Sequence, residues 1–329
     1  MASAKLRRRR HRAAGPADVA RGQEGHPLGS RFSAHGRPVG RGVPPRSAPV
    51  LGTRSGPLSL DRVVVVGVVN VTPDSFSDGA LHLEPRRAAE AAVAMVAAGA
   101  GMLDLGAEST RPGARPVPAS EELRRLLPAL RAVRAVVRVP LSVDTRKARV
   151  AEAALGEGAD IVNDVSAGQF DSAMLPLCAR ERVPVILMHM RGTPATMQRL
   201  ARYRDVVTEV RDFLARRAVT AEVAGVRREA IVLDPGIGFA KTSAQNLALL
   251  SRLDALAAVG YPVLVGVSRK GFIGELLGGA IPGERVFGTA AAVALAVAAG
   301  ARLVRVHDVG PMRQVATVAE AIRRGTTRP

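Results

Sequence analysis

Residues 97–106 read AAGAGMLDLG: a small-residue helical stretch stops at Gly99, and an apolar run of strand character begins at Met102. Glycine commonly closes a helix, and a β-run directly after it returns the chain to a sheet. The same joint recurs as GEGADIVNDV at 156–165 and AAGARLVRVH at 298–307. Outward from these joints, strand-like runs fall at Val63–Val71, Met102–Gly106, Pro140–Asp144, Ile161–Asp164, Pro184–His189, Ile231–Asp234, Pro262–Val267 and Leu303–Val306. Segments of helical period alternate with them near 86–98, 120–137, 147–157, 172–181, 201–224, 244–257, 284–300 and 312–324. Apolar strands separated by helices imply a parallel sheet covered by helices. Eight such units in about 250 residues predict an α/β fold, a (β/α)8 barrel.

The 329 residues carry 47 Lys or Arg against 29 Asp or Glu, a formal charge of +18 that invites a nucleic-acid reading. The distribution of charge argues against it. Residues 1–62 hold 13 Lys or Arg and 3 acids, so +10 sits in less than a fifth of the chain and the other 267 residues carry +8. The first 60 residues are rich in Arg, Gly and Pro and show neither helical nor strand period. They bury too little apolar surface to offset their ordering entropy, so a disordered extension (1–60) is expected ahead of a barrel domain (61–329). With 7 Phe, 2 Tyr and no Trp, the barrel offers little for base stacking, and no nucleic-acid partner is expected. There is no signal-like apolar segment and no apolar run of about 18 residues. Cys178 is the only cysteine, which excludes an intrachain disulfide and a cysteine-based zinc cluster. A cytoplasmic protein without a membrane span is expected.

Catalytic groups of such barrels collect at the C-terminal ends of the strands. There the sequence places Asn70, Asp104 with Glu108, Asp144, Asn163 with Asp164, His189, Asp234, Ser268 with Lys270, and Arg305 with His307. The first loop, NVTPDSFSDG at 70–79, sets an amide, two carboxylates and hydroxyls around a proline and a glycine, suited to a hard cation and a mobile lid. The second, ESTRPGA at 108–114, adds the guanidinium of Arg111, which suits an anion. Taken singly, Asp144 or Asp234 could also cap a following helix, and His307 could be a neutral ring satisfied by a backbone carbonyl. Arg305 and His307, two residues apart on one strand, point to the same side.

Together with SVDT at 142–145, NDVS at 163–166, LMHMRGTP at 187–194, LDPGIGFAK at 233–241, GVSRK at 266–270 and RVHDV at 305–309, these motifs resemble those of dihydropteroate synthases, in the same order. The resemblance implies a transferase that joins 6-hydroxymethyl-7,8-dihydropterin diphosphate to 4-aminobenzoate in folate biosynthesis. It implies pterin-edge roles for Asp144, Asn163 and Asp234, a donor in Lys270, and apolar faces from Met188 and Phe239. Arg305 and His307 would meet the diphosphate, and Asn70 would be a ligand of Mg2+. Thr110 joins the substrate-binding set, and Phe76 and Pro112 would pack the aminobenzoate ring. Asp78 and Arg111 would pair in the closed loops and, with Lys270, form the catalytic set. A homodimer through the last helices is also implied. The sequence departs from the family's usual pattern at Gly271, where a serine is frequent, and at Ala107 and Ala80, where glycines are frequent. A methyltetrahydrofolate-dependent methyltransferase would share the Asp/Asn/Asp edge but would have no use for the 70–79 loop together with Arg305 and His307.

Overall fold

The computed structural model describes residues 49–71 and 84–326. The described chain enters through a hairpin, β1 (Val50–Thr53) antiparallel to β2 (Gly56–Ser59). Eight parallel strands follow: β3 (Val64–Asn70), β4 (Met102–Gly106), β5 (Leu141–Asp144), β6 (Ile161–Asp164), β7 (Val185–Met188), β8 (Ile231–Asp234), β9 (Leu264–Val265) and β10 (Leu303–Val306). They pair in the order β8-β7-β6-β5-β4-β3-β10-β9. A bridge between Leu233 and Val263, with the Leu233 N–H donating to the Pro262 carbonyl at 2.9 Å, joins β8 to β9 and closes the barrel. All eight strands lie within the runs read from the sequence, because each run is a buried apolar stretch bounded by Gly, Pro or a charged residue.

The helices are α1 (Glu84–Ala97), α2 (Ala119–Val136), α3 (Ala148–Gly156), α4 (Met174–Glu181), α5 (Val206–Val223), α6 (Ser243–Ser251), α7 (Leu253–Ala257), α8 (Gly271–Leu276), α9 (Val286–Ala298) and α10 (Val309–Arg324). Helix α5 starts later than its period suggested, where the Asp205 carboxylate accepts from the Val207 N–H at 3.0 Å and caps the first turn. The segment read as one helix at 244–257 is two, α6 and α7, meeting at Arg252. Helix α8 has too few residues to show a period and was not expected. No described helix is long and apolar enough to cross a membrane.

Two apolar layers hold the barrel. Outside, the helices bury their inner faces on the strands. Inside, the first residues of the strands (Val64, Met102, Ile161, Leu264 and Leu303 among them) make a cluster that Leu51 and Leu60 join with no exposed surface. The hairpin therefore floors the N-terminal mouth of the barrel. Burying each leucine is worth about 1.5–3 kcal/mol. At the hairpin turn, Asp160 accepts from the Ser55 N–H at 2.7 Å, the Ser55 hydroxyl at 2.9 Å, the Leu141 N–H at 2.9 Å and Arg134 Nη1 at 3.2 Å. This corrects the expected boundary at residue 60. Residues up to 48 lie outside the described residues, but Pro49 to Leu60 are part of the barrel. Their signal is faint in sequence because only Leu51, Leu58 and Leu60 are apolar anchors, on or just after two four-residue strands.

Candidate active site

With the N-terminal mouth sealed, polar groups gather at the opposite end. The parallel register sets Asp104 of β4 opposite Ser142 of β5, and Asp144 of β5 opposite Asn163 of β6. Asp104 accepts from the Ser142 hydroxyl at 2.5 Å, Asn163 Nδ2 at 3.2 Å and Arg305 Nε at 2.5 Å. Arg305 extends across the barrel from β10, and its Nη2 donates to Asp144 Oδ2 at 3.0 Å. The other Asp144 oxygen, Oδ1, is buried and has no partner. Burial first, and Asp104 second, push the Asp144 carboxyl up to about 8, with Arg305 opposing them.

Asp234 closes β8 on the next side. Its Oδ1 accepts from the Gly236 N–H at 2.7 Å, and burial raises its carboxyl above the usual range against the pull of that N–H, Lys270 and Arg305. The following turn needs glycine: a Cβ at Gly236 (φ +64) would lie 2.1 Å from the His189 carbonyl oxygen, and one at Gly238 (φ +86) 3.1 Å from Lys270 Cδ. That close approach lets Lys270 Nζ sit 4.4 Å from the centre of the Phe239 ring. Burial lowers Lys270 to about 8, with Asp234 holding its charge in place. Phe239 and Met188 pack with Val165, Met190, Met197 and Ala240 in an apolar wall on the β7/β8 side.

At β10, the His307 N–H donates to the Ser268 hydroxyl at 3.2 Å, and that hydroxyl is 3.0 Å from His307 Nδ1. Ser268 therefore offers its proton to Nδ1, which leaves Nε2–H as the ring's outward donor. Burial and then Arg305 lower His307 to about 4, so the ring is neutral near pH 7. Beside it, Arg269 grips Asp308 with two bonds of 3.0 and 2.6 Å, tying the β9 loop to the β10 loop. In the second loop, Glu108 is held by Lys147 at 2.7 Å, Arg146 at 3.2 Å and the Val117 N–H at 3.1 Å. Thr110 is half-buried, Arg111 and Pro112 are exposed, and the Gly113 N–H donates to the Pro194 carbonyl at 3.0 Å.

The sequence model of a family described as pterin binding enzymes matches residues 66–307. The dihydropteroate synthase of Synechocystis is 48% identical over 263 residues, 80% of this chain and 91% of the relative. The chain belongs to the dihydropteroate synthase family. Its fold superposes on the Xanthomonas albilineans dihydropteroate synthase with 4-aminobenzoic acid at a TM-score of 0.80, with 45% identity, covering 86% of this chain and 100% of the other. The Thermus thermophilus dihydropteroate synthase in complex with 4-aminobenzoate gives a TM-score of 0.73 and 52% identity, covering 83% and 99%.

For a dihydropteroate synthase, the structure brings together Asp144, Asn163, Met188, Asp234, Phe239, Lys270, Arg305 and His307 at one end of the barrel. Phe76 and Asp78, like Ala80, lie outside the described residues. Arg305, read as a cation for diphosphate, is engaged by Asp104 and Asp144, because the closed barrel carries β10 over β4 and β5. Asn70 is half-buried at the end of β3, and its amide oxygen is the hard donor Mg2+ accepts. Among the described residues, no group of three His, Cys, Asp or Glu side chains converges on a metal position. The departure at Gly271 is not steric, since a Cβ there would meet nothing within 4 Å.

Asp104 and Lys241 were both legible as residues but not as participants. Lys241 is buried, and its Nζ donates to the carbonyls of Phe239 at 2.8 Å and Gly236 at 3.0 Å and lies 2.9 Å from His189 Nδ1. It thereby pins the 234–240 turn to β7. Burial, then Lys241 and Arg191, lower His189 to about 2, and its ring lies edge-on to Phe213 at 4.8 Å. This histidine is structural. A positive φ at Ala240 precedes the inward turn of Lys241, a backbone feature that no residue type announces.

Proposed function

We propose that the chain condenses 6-hydroxymethyl-7,8-dihydropterin diphosphate with 4-aminobenzoate, forming 7,8-dihydropteroate and diphosphate. The observation that carries this reading is the buried set of Asp144, Asn163 and Asp234 with Lys270 beside it. A pterin edge needs acceptors for its amino and ring N–H groups and donors for its carbonyl and ring nitrogen. Two carboxylates, an amide and an ammonium meet those needs, and Asp144 Oδ1 has no other partner. Met188 and Phe239 provide the apolar contact for the ring.

In the reaction the methylene C–O bond to diphosphate breaks, the amine nitrogen forms the new C–N bond, and the amine loses a proton. No protein nucleophile is required. Negative charge grows on the departing diphosphate, and Arg305, the Nε2–H of His307 and Lys270 supply donors and positive charge around it. Asn70 would hold Mg2+, which when bound screens the diphosphate charge. Thr110 and Arg111 contact the substrates from the second loop. In this reading Phe76 and Pro112 would pack the aminobenzoate ring, and Asp78 would pair with Arg111 to keep water from the electrophilic methylene.

Homodimerisation is the second part of the proposal. Helix α9 is apolar all round. One face, with Thr289, Ala292, Val293, Ala296 and Val297, is buried, whereas Phe287 (87% exposed) and Leu295 (66%) are exposed, as are Ile281 (62%) just before the helix and Ile322 (76%) on α10, which packs against it. A helix of that character is ordinarily covered on both sides. The cytoplasm is the proposed location, on the strength of the single buried cysteine.

The deciding experiment mixes the protein with the pterin diphosphate, Mg2+ and 4-aminobenzoate and follows dihydropteroate and diphosphate, then adds a sulfonamide. Formation of both products, with sulfonamide competing against aminobenzoate, is expected. Pterin binding without condensation would instead favour a methyltransferase-type barrel.

A further inference from the structure

Asp104 carries none of the substrate roles proposed above, yet it is the hub of the site. It is 1% exposed and lies in β4 two residues before the strand end. Three donors converge on it from three other strands: the Ser142 hydroxyl, Asn163 Nδ2 and Arg305 Nε. Two of those donors, Asn163 and Arg305, belong to residues that meet the pterin and its leaving group. Arg305 is also shared, with Nε at 2.5 Å from Asp104 and Nη2 at 3.0 Å from Asp144. One guanidinium thus serves two buried carboxylates, and the nearer one is not a ligand of the substrate.

We infer that Asp104 is a positioning residue, a buried anion that fixes Asn163 and Arg305 in place and, by taking most of the guanidinium, leaves Asp144 free to meet the pterin edge. The inference rests on the pterin-synthase reading above. It adds an electrostatic consequence to the geometric one. The charged groups facing Asp144 are Asp104 on β4, Arg305 on β10, Glu122 on α2, Asp164 on β6 and Lys270 after β9. Glu122 is tied to Lys147 at 2.5 Å, and Asp164 is satisfied by the Ser166 N–H and hydroxyl and the Gly168 N–H. Asp104 and Arg305 are therefore the pair that governs Asp144. Removing the Asp104 charge gives Arg305 wholly to Asp144, which then ionises at lower pH.

The test is pterin binding by full-length wild type, Asp104→Asn and Ser142→Ala, measured against pH by calorimetry with the pterin diphosphate and Mg2+, together with KM for each substrate. Because the pterin N–H groups need an acceptor, wild-type affinity rises as pH climbs through the Asp144 titration. In Asp104→Asn the rise moves to lower pH by about one unit or more. Its plateau affinity falls roughly tenfold to a hundredfold through misplaced Asn163 and Arg305. KM for 4-aminobenzoate at saturating pterin stays within about twofold, because the hub reaches only the pterin side. Ser142→Ala keeps the charge but removes a donor to it. With the charge kept and one donor gone, Asp104 draws harder on Arg305, so the rise shifts the opposite way, to higher pH, by less, and this opposite shift decides the matter if Asp104→Asn does not fold. An unmoved pH profile, or equal increases in both KM values, overturns the positioning role. Failure of the wild type to bind the pterin diphosphate overturns the synthase reading instead.

Discussion

The two mouths of the barrel both bury carboxylates, but they treat them differently. At the N-terminal mouth, Asp160 is fully buried and accepts four hydrogen bonds, from Ser55 twice, Leu141 and Arg134. At the C-terminal mouth, Asp144 has one guanidinium contact, and its second oxygen has no partner. A carboxylate whose acceptor capacity is filled by the chain holds the fold together, whereas one left partly unfilled in a buried site is available to a ligand at a cost in stability. The floor is built from hairpin leucines and strand ends, and the rim from paired charges among which Asp144 keeps one oxygen without a partner.

The harshest way to test the division is to remove the floor. Truncation through Leu60 deletes Leu51 and Leu60 and uncovers Met102, Ile161, Val232 and Leu303. Losing two core leucines costs roughly 4–10 kcal/mol, comparable to a typical domain's whole stability of about 5–15 kcal/mol. Circular dichroism should show no cooperative unfolding, while truncation through Arg46 should melt like the full chain and retain synthase activity. Equal melting curves for the two truncations would mean that the hairpin does not floor the barrel.

Asp160→Ala comes next, with an expected stability loss of about 3–5 kcal/mol in urea, since it strands the Ser55 and Leu141 N–H donors and takes from Arg134 its only carboxylate partner among the described residues. The folded fraction should keep wild-type KM for both substrates. Asp234→Asn should do the reverse. Replacing half of an acceptor pair by a donor costs roughly 2–4 kcal/mol of pterin affinity. Calorimetry with the pterin diphosphate reads that loss, and unchanged affinity would remove Asp234 from the pterin edge.

The division also explains what could be read from sequence. The strands were legible because each is an apolar run fenced by Gly, Pro or charge, and the rim was legible because ionisable residues at strand ends follow the family's motifs. Asp104 was visible at a strand end, but its meaning depends on Arg305, 201 residues further along. Only closure of the barrel brings those two side chains together. The hairpin was missed for the opposite reason: its sequence is Gly- and Ser-rich, and its fate is decided by a leucine-sized vacancy in the floor rather than by local period.

Lys241 lies between the two classes, a charged residue near the rim used as structure, and it gives the smallest and most specific effect. Burial lowers its ammonium from the ordinary 10.5 to about 7, with Asp234 opposing and Lys270 and Arg191 reinforcing the shift. Between about pH 7 and 10.5 the unfolded chain holds a proton at this position that the folded chain has released, so folding stability rises with pH across that window. Below about pH 7 both states are protonated and the contribution is flat. In Lys241→Met this group is gone, while Lys270, which titrates nearby, remains in both proteins and cancels from their difference. The stability advantage of wild type over Lys241→Met, from urea unfolding at several pH values, should therefore widen from pH 7 to pH 10. A pH-independent difference would mean that Lys241 stays charged on its three acceptors, and that the rim tolerates a buried cation as readily as the floor tolerates Asp160.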